Sequence, residues 1–109
     1  MPRDDGLPPG TLAMLILRVL ATRPLHGYAI AQRIAQLSLQ ELSVEEGSLY
    51  PALQKLLLKG WVKAATAVSD TGRTVRTYRL TPAGRKQLEI ERAEYRRVSA
   101  AISAVLDTP

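Results

Sequence analysis

One amphipathic segment, residues 47–59, combines an apolar face with a short polar face that could recognise a ligand. The apolar side chains follow the i, i+4, i+7, i+8 spacing of a core-facing helix and are Leu49, Leu53, Leu56 and Leu57. The residues that then point away from the core are Ser48, Pro51, Gln54 and Lys55. The Gln54 amide can donate and accept a pair of hydrogen bonds at an adenine edge, whereas Ser48 and Lys55 can bond base edges or phosphate. The segment therefore predicts a helix that reads DNA, called the reading helix below.

The positive charge of the chain is unevenly placed. The formal net charge is +5, and residues 61–86 carry six basic side chains against Asp70 alone, so the rest of the chain sums to zero. A locally basic surface suits a phosphate backbone. The same charges could serve only to keep a small protein soluble, so charge alone does not choose between the two interpretations.

The first predicted helix, residues 11–22, is apolar nearly all the way round. Its apolar side chains, too many for one core-facing stripe, are Leu12, Met14, Leu15, Ile16, Leu17, Val19 and Leu20. A helix of this kind needs apolar partners on more than one side. We therefore expect a second subunit to cover part of it, in contact with Leu12, Leu15 and Ile16.

A second helix is predicted over about residues 27–37, followed by the reading helix over about residues 44–59. Two signals disagree about where the reading helix begins. Ser43 with Glu46 fits a capping box, whereas Pro51 favours a position in the first turn. The start therefore stays open within the five residues VEEGS.

A β-hairpin is predicted after Gly60, with strands at residues 61–68 and 75–81 on either side of the polar turn SDTGR. Three helices followed by a hairpin form the winged variant of the helix-turn-helix. In that arrangement the third helix enters the major groove and the hairpin tip touches the flanking backbone. Arg73 and Arg76 lie toward the tip and are expected to hold phosphate.

A long final helix is predicted over residues 82–106, with Thr81 as its N-cap. A heptad-like seam along this helix comprises Leu88, Tyr95, Val98, Ile102 and Val105. Three heptads are short for a free coiled coil, but the seam suits packing against a second copy of the chain. The prediction is thus mainly α with a small β-hairpin: a winged helix-turn-helix core over residues 10–81 and a C-terminal dimerisation helix over residues 82–107.

The composition argues against metal, redox and catalytic roles. The 109 residues include no cysteine and one histidine, His26, which excludes disulfides, thiolate catalysis and a cysteine-based zinc site. No nucleophile has an acid–base partner at a defensible spacing. The longest apolar stretch is broken by Arg18 and falls short of the roughly 20 residues that cross a membrane. We expect one soluble, cytoplasmic domain with no cofactor, no bound metal and no enzyme activity.

Three motifs in this order and spacing resemble the PadR family of bacterial transcriptional regulators. LHGY at residues 25–28 opens the second helix, and GSLYPAL at residues 47–53 lies at the start of the reading helix. RTYRLTPAG at residues 76–84 forms the second wing strand and its exit. The resemblance covers nearly the whole chain. It implies a winged helix-turn-helix homodimer, swapped or packed through the C-terminal helix, that usually represses transcription from a roughly palindromic operator.

The resemblance also implies which residues contact double-stranded DNA. The expected helix-turn-helix face comprises Tyr28, Ser48, Tyr50, Pro51, Gln54 and Lys55. The expected wing contacts are Arg73 and Arg76, on a wing spanning residues 68–76. One departure is Thr77, where the family often has a tyrosine, and an outward position tolerates that exchange. The single C-terminal helix is similar to the short branch of the family and leaves any small-molecule effector unknown.

Several alternatives stay open. Tyr50 could shield the edge of the core instead of contacting a phosphate or sugar. Trp61 is better explained by packing than by stacking on a ligand, and His26 by a bond to nearby backbone at the start of the second helix. A winged helix that binds only protein would suit a neutral wing, which this chain lacks. A small-molecule sensor at a dimer interface would need a pocket that the sequence cannot demonstrate.

Overall fold

The computed structural model of the protein describes Leu7 and residues 10–109. Four helices and three strands follow one another as α1 (Thr11–Leu20), β1 (Leu25–His26), α2 (Gly27–Leu37), α3 (Glu46–Leu58), β2 (Val62–Val68), β3 (Thr74–Leu80) and α4 (Pro82–Leu106). The predicted fold class, helices with a small β-hairpin, is confirmed. Within the described chain, no helix is both long enough and apolar enough to cross a membrane.

The strands form one antiparallel sheet in the order β1, β3, β2. β2 and β3 make the predicted hairpin, which is in register from Val62 opposite Leu80 out to its tip. β1 pairs with the other edge of β3, where Leu25 lies opposite Tyr78. The sequence did not predict β1, because a strand of two residues shows no alternation of apolar and polar side chains.

α1 lies at the centre of the core. It contacts α2, α3, α4 and β3, and the same chain therefore covers it on several sides. The buried core side chains are Leu12, Ile16, Leu17, Val19, Leu20, Ile30, Ile34, Leu49, Leu53, Leu56, Val62, Tyr78 and Leu88. This arrangement explains why α1 is apolar nearly all the way round without a second subunit.

Part of the expected dimer interface is buried within one chain. Leu12, Ile16 and Leu88 are only 9%, 0% and 2% exposed within one chain, so they have almost no surface left for a partner. Leu15 on α1 is half-buried. The remaining expected residues lie on the outer half of α4 and are exposed: Tyr95, Val98, Ile102 and Val105.

α3 begins at Glu46, inside the range that the sequence left open. The N-cap is Glu45, whose side chain makes no capping hydrogen bond, so the capping box of Ser43 with Glu46 does not form. Pro51 lies in the second turn of the helix and not in the first. Its missing N–H leaves one backbone hydrogen bond of the helix unmade. The negative charges of Glu45 and Glu46 at the start of α3 still complement the helix dipole.

Candidate nucleic-acid interface

The polar face predicted for α3 is present. Pro51, Gln54 and Lys55 are exposed, and Ser48 is half-buried. The opposite side of the helix contributes its leucines to the core. Gln54 and Lys55 project from the third turn, where an amide and an ammonium group can reach base edges in a groove.

The N-terminus of α2 is capped by His26. Its Nδ1 atom accepts a hydrogen bond from the Ala29 N–H at 3.3 Å, which confirms the predicted bond to nearby backbone. Tyr28, in the first turn of the same helix, is 65% exposed and presents its phenol to solvent. Among the described residues, no group of three or more His, Cys, Asp or Glu side chains could hold a metal ion.

Tyr50 links α3 to the start of α2. Its ring lies against Gly27 so closely that a Cβ added to Gly27 would lie 2.6 Å from the Tyr50 hydroxyl oxygen. The residue nevertheless remains 41% exposed. Tyr50 therefore covers the backbone of Gly27, which is close to the alternative that it shields the edge of the core. Its exposed phenol can still contact a ligand.

The tip of the hairpin is a closed turn over residues 69–73. The Ser69 N–H donates to the Arg73 carbonyl oxygen at 2.7 Å, and the Arg73 N–H donates to Ser69 Oγ at 3.2 Å. Gly72 has a φ of +82°, a left-handed conformation that suits glycine. The turn thus holds the backbone of Arg73 at a defined place while the side chain stays exposed.

Arg76 lies on the inner face of the wing, together with Tyr78. The guanidinium carbon of Arg76 is 5.6 Å from the centroid of the Tyr78 ring, a cation–π distance. Tyr78 is buried against the core. The contact therefore directs Arg76 toward α2 and α3 instead of away from them.

An open cavity of about 380 Å³ brings these parts together. Its lining residues come from β1, the start of α2, α3 and the wing, and are His26, Gly27, Tyr28, Tyr50, Arg73, Val75, Arg76 and Tyr78. Four of the eight predicted DNA contacts, two tyrosines and two arginines, line this cavity, and the other four lie along α3. The sequence did not predict that His26 joins the wing, because that placement depends on the pairing of β1 with β3.

The cations of this cavity have no acidic partner in the part of the chain that the structure describes. Both ion pairs among residues 10–109 lie on α4, which does not line the cavity. In one of them, the hydrogen bond between Glu94 and Arg97 lowers the pKa of Glu94 and raises the pKa of Arg97. Arg73 and Arg76 form no ion pair with any described carboxylate. Their charge is therefore available to an external anion such as a phosphate.

A family model and solved structures of transcriptional regulators are similar to this chain. A family model described as "Transcriptional regulator PadR-like family" matches residues 16–90. Among solved structures, a PadR family transcription regulator from Clostridium difficile superposes with a TM-score of 0.77 at 27% identity, covering 89% of this chain and 99% of that one.

Two curated relatives add sequence similarity. An uncharacterized 37.1 kDa protein in transposon TN4556 of Streptomyces fradiae is 45% identical over 96 residues, covering 86% of this chain and 26% of that protein. This chain thus spans about a quarter of the length of that relative. Transcriptional regulator Rv3488 of Mycobacterium tuberculosis is 39% identical over 77 residues, covering 71% of this chain and 68% of that protein. Neither the matched family nor the named regulators are enzymes.

Proposed function

The chain belongs to the PadR-like family of transcriptional regulators, which bind DNA, and from this premise we propose that it is a homodimeric, sequence-specific repressor. In each subunit, α3 reads the bases of one half of a roughly palindromic operator. The wing, residues 68–76, holds the flanking backbone. We place this action in the cytoplasm, where bacterial DNA lies.

The observation that carries the proposal is the cavity shared by α2, α3 and the wing. Tyr28 and Tyr50 offer phenol hydroxyls beside the guanidinium groups of Arg73 and Arg76, neither of which forms an ion pair with a described carboxylate. Groups of these kinds bind phosphate and sugar, and such contacts set the register of a protein on a duplex. They do not themselves read sequence.

Sequence would be read by the exposed side chains of α3. With the backbone held at the cavity, Gln54 and Lys55 are the groups able to bond base edges in the major groove. Ser48 and Pro51 complete the contact surface nearer the start of the helix. Among these, the Gln54 amide is the best base reader because it can pair in two places with an adenine.

Dimerisation is supported by an apolar row on the outer half of α4. Tyr95, Val98, Ile102 and Val105 are 50%, 39%, 53% and 75% exposed, and a continuous apolar row in water marks an interaction surface. A second copy of α4 supplies a matching row about a two-fold axis. Half-sites should then be centred about 10 base pairs apart, or a multiple of that.

Fluorescence anisotropy with labelled promoter fragments, compared with random duplex of equal length at two salt concentrations, tests the proposal. We expect at least one fragment to bind more tightly than random duplex at both concentrations, with two chains per site. Equal affinity for every fragment and for random duplex would contradict sequence-specific binding.

The direction of regulation has a separate support and a separate test. Repression rests on the motif resemblance, since that family usually represses. Transcription in vitro from the bound fragment should fall as the protein is added. A rise in transcript would instead make the protein an activator.

A further inference from the structure

Thr81 is the one buried polar side chain among the described residues, at 5% exposed, and its hydroxyl joins two helices. Oγ1 donates a hydrogen bond of 2.7 Å to the carbonyl oxygen of Gly60, just after α3. The same oxygen accepts a hydrogen bond of 3.0 Å from the N–H of Gly84, in the first turn of α4. One hydroxyl group therefore connects the end of the reading helix to the start of the proposed dimerisation helix.

Backbone contacts close the same junction. The Thr81 N–H donates to the Trp61 carbonyl oxygen at 3.1 Å. Gly84 packs against that carbonyl group, and a Cβ at Gly84 would overlap the Trp61 oxygen. The first turn of α4 is therefore held tightly against the turn that connects α3 to β2.

Beyond this junction, α4 packs against α1. The helix has 25 residues, which makes it about 37 Å long at about 1.5 Å per residue. Leu88 is its last buried residue. Met14 of α1 and Ile90 and Tyr95 of α4 line an open cavity of about 300 Å³. The exposed outer half of α4 therefore follows the direction that its first turns and its packing against α1 set.

A small change of angle at the junction has a large effect at the far end. A tilt of about 10° would move the end of a 37 Å helix by about 6 Å, which is close to two base-pair steps of about 3.4 Å. If two chains associate through α4, as proposed above, the two α3 helices are related through the α4 helices, so any such tilt is applied twice.

We propose that Thr81 is a positioning residue that sets the angle between α3 and α4, and thereby the half-site spacing that the dimer accepts. This inference rests on the proposed function, because it requires a dimer that reads two half-sites. Thr81 itself is buried and contacts no DNA. It acts through the orientation of the two helices that its hydroxyl connects.

Spin-label distances test the geometry directly. The chain has no cysteine, so a single label can be attached through Leu58→Cys at the exposed last residue of α3. In dimers, double electron–electron resonance should give one narrow distribution of distances between the two labels. Thr81→Val keeps the side-chain shape without the hydroxyl and should shift or broaden that distance by about 5 Å or more. Thr81→Ser should restore it.

Thr22→Val is the matched control for removal of a hydroxyl group. The Thr22 hydroxyl donates only to the Val19 carbonyl oxygen at the end of α1. Its removal should leave the distance between the labels unchanged.

A functional readout separates positioning from stability. The unmodified protein is first used to select duplexes from a random library. These duplexes are then synthesised again with the spacing between their half-sites changed by one base pair at a time, and they serve as the probes. The unmodified protein should prefer one spacing by roughly ten-fold over its neighbours. Thr81→Val should reduce that preference to about two-fold while binding an isolated half-site as the unmodified protein does. Thr81→Ser should keep the preference.

Thr81→Asp provides a second variant in case Thr81→Val does not fold. A carboxylate can accept from the Gly84 N–H and so cap α4, but it has no hydrogen to donate to Gly60. Helix content by circular dichroism should therefore be kept while the label distance and the spacing preference change.

Two results would overturn the inference. One is an unchanged distance and spacing preference in the Val and Asp variants; the other is loss of folding in both, which would make the hydroxyl a requirement of the fold. Absence of any inter-label distance, or of a preference for two half-sites, in the unmodified protein would contradict the proposed function instead.

Discussion

The ring of Tyr50 in α3 rests on the backbone of Gly27 in α2, with no room for a side chain between them. A Cβ at position 27 would lie 2.6 Å from the Tyr50 hydroxyl oxygen and 2.9 Å from Cε1. Because Tyr50 is on an exposed edge, a bulkier residue at position 27 would displace the ring before it displaced the backbone. Gly27 thus determines where one phenol of the cavity lies.

Gly27→Ala should weaken DNA binding while leaving the fold intact. Displacement of the Tyr50 ring removes one polar contact, at a cost of about 1 kcal/mol of binding free energy. Anisotropy titration measures this loss. In a Tyr50→Ala background the same substitution should cost nothing further, because the two residues act through one contact. Additive losses would show that Gly27 acts independently of Tyr50.

Gly47→Ala is the matched control for the loss of a glycine. A Cβ there would meet no atom within 4 Å, and the residue is helical in α3. The free energy of unfolding should stay the same or rise by up to about 1 kcal/mol, because alanine favours a helix over glycine. Thermal unfolding checks this expectation and the folding of Gly27→Ala together.

Gln54→Ala should relax base preference at one operator position. The loss of a paired amide contact should cost about 1 to 3 kcal/mol on the preferred sequence and much less on a duplex changed at that base pair. Titration against single-base variants of the bound fragment locates the position. Gln32→Ala, an exposed glutamine on α2, should leave every base preference as it was. Full preference in the Gln54 variant would exclude this residue as a base reader.

Arg73→Ala should weaken binding to all duplexes alike. An arginine that neutralises one phosphate releases counterions, so its removal should lower the slope of log affinity against log salt by about one unit. Arg96→Ala removes another exposed arginine, from α4, and should leave the slope unchanged. An unaltered slope for Arg73→Ala would mean that the wing tip does not bind phosphate.

Much of the fold was predictable because local signals agree with burial. Thr81 followed by Pro82 marks the start of α4, and the structure places the cap there, with Thr81 accepting from the Gly84 N–H. The start of α3 was harder because its local signals compete. A helix beginning at Glu46 forgoes the capping box and carries Pro51 in its second turn, so tertiary packing of the leucines outweighs both signals.

Contacts between elements are the part that the sequence could not provide. The pattern of α1 shows that the helix is surrounded, but not by which chain. Leu12 and Ile16 were therefore assigned to a partner subunit, whereas both are buried within one chain. Strand alternation placed Arg76 on the face of Tyr78. The position of His26 beside them depends on the pairing of β1 with β3, which has no local signature.

The last prediction concerns self-association through α4. Ile102 is 53% exposed and lies between Val98 and Val105 on the same face of α4. Ile102→Glu places a charge in the centre of the proposed two-fold contact, where burial without a partner is costly, and should yield monomers by light scattering. DNA binding should weaken as well, because each half-site is then bound separately.

Leu58→Glu is the matched control for Ile102→Glu, because it adds the same charge at an exposed position outside the proposed interface. Leu58 is also an exposed aliphatic residue, at 79%, but it is the last residue of α3 and not a member of the apolar row of α4. This variant should keep the molecular mass of a dimer, because it leaves that row intact. If Ile102→Glu still forms dimers at the same concentration, the interface does not lie on the outer half of α4. Two glutamates that face each other across a two-fold axis could not stay buried there.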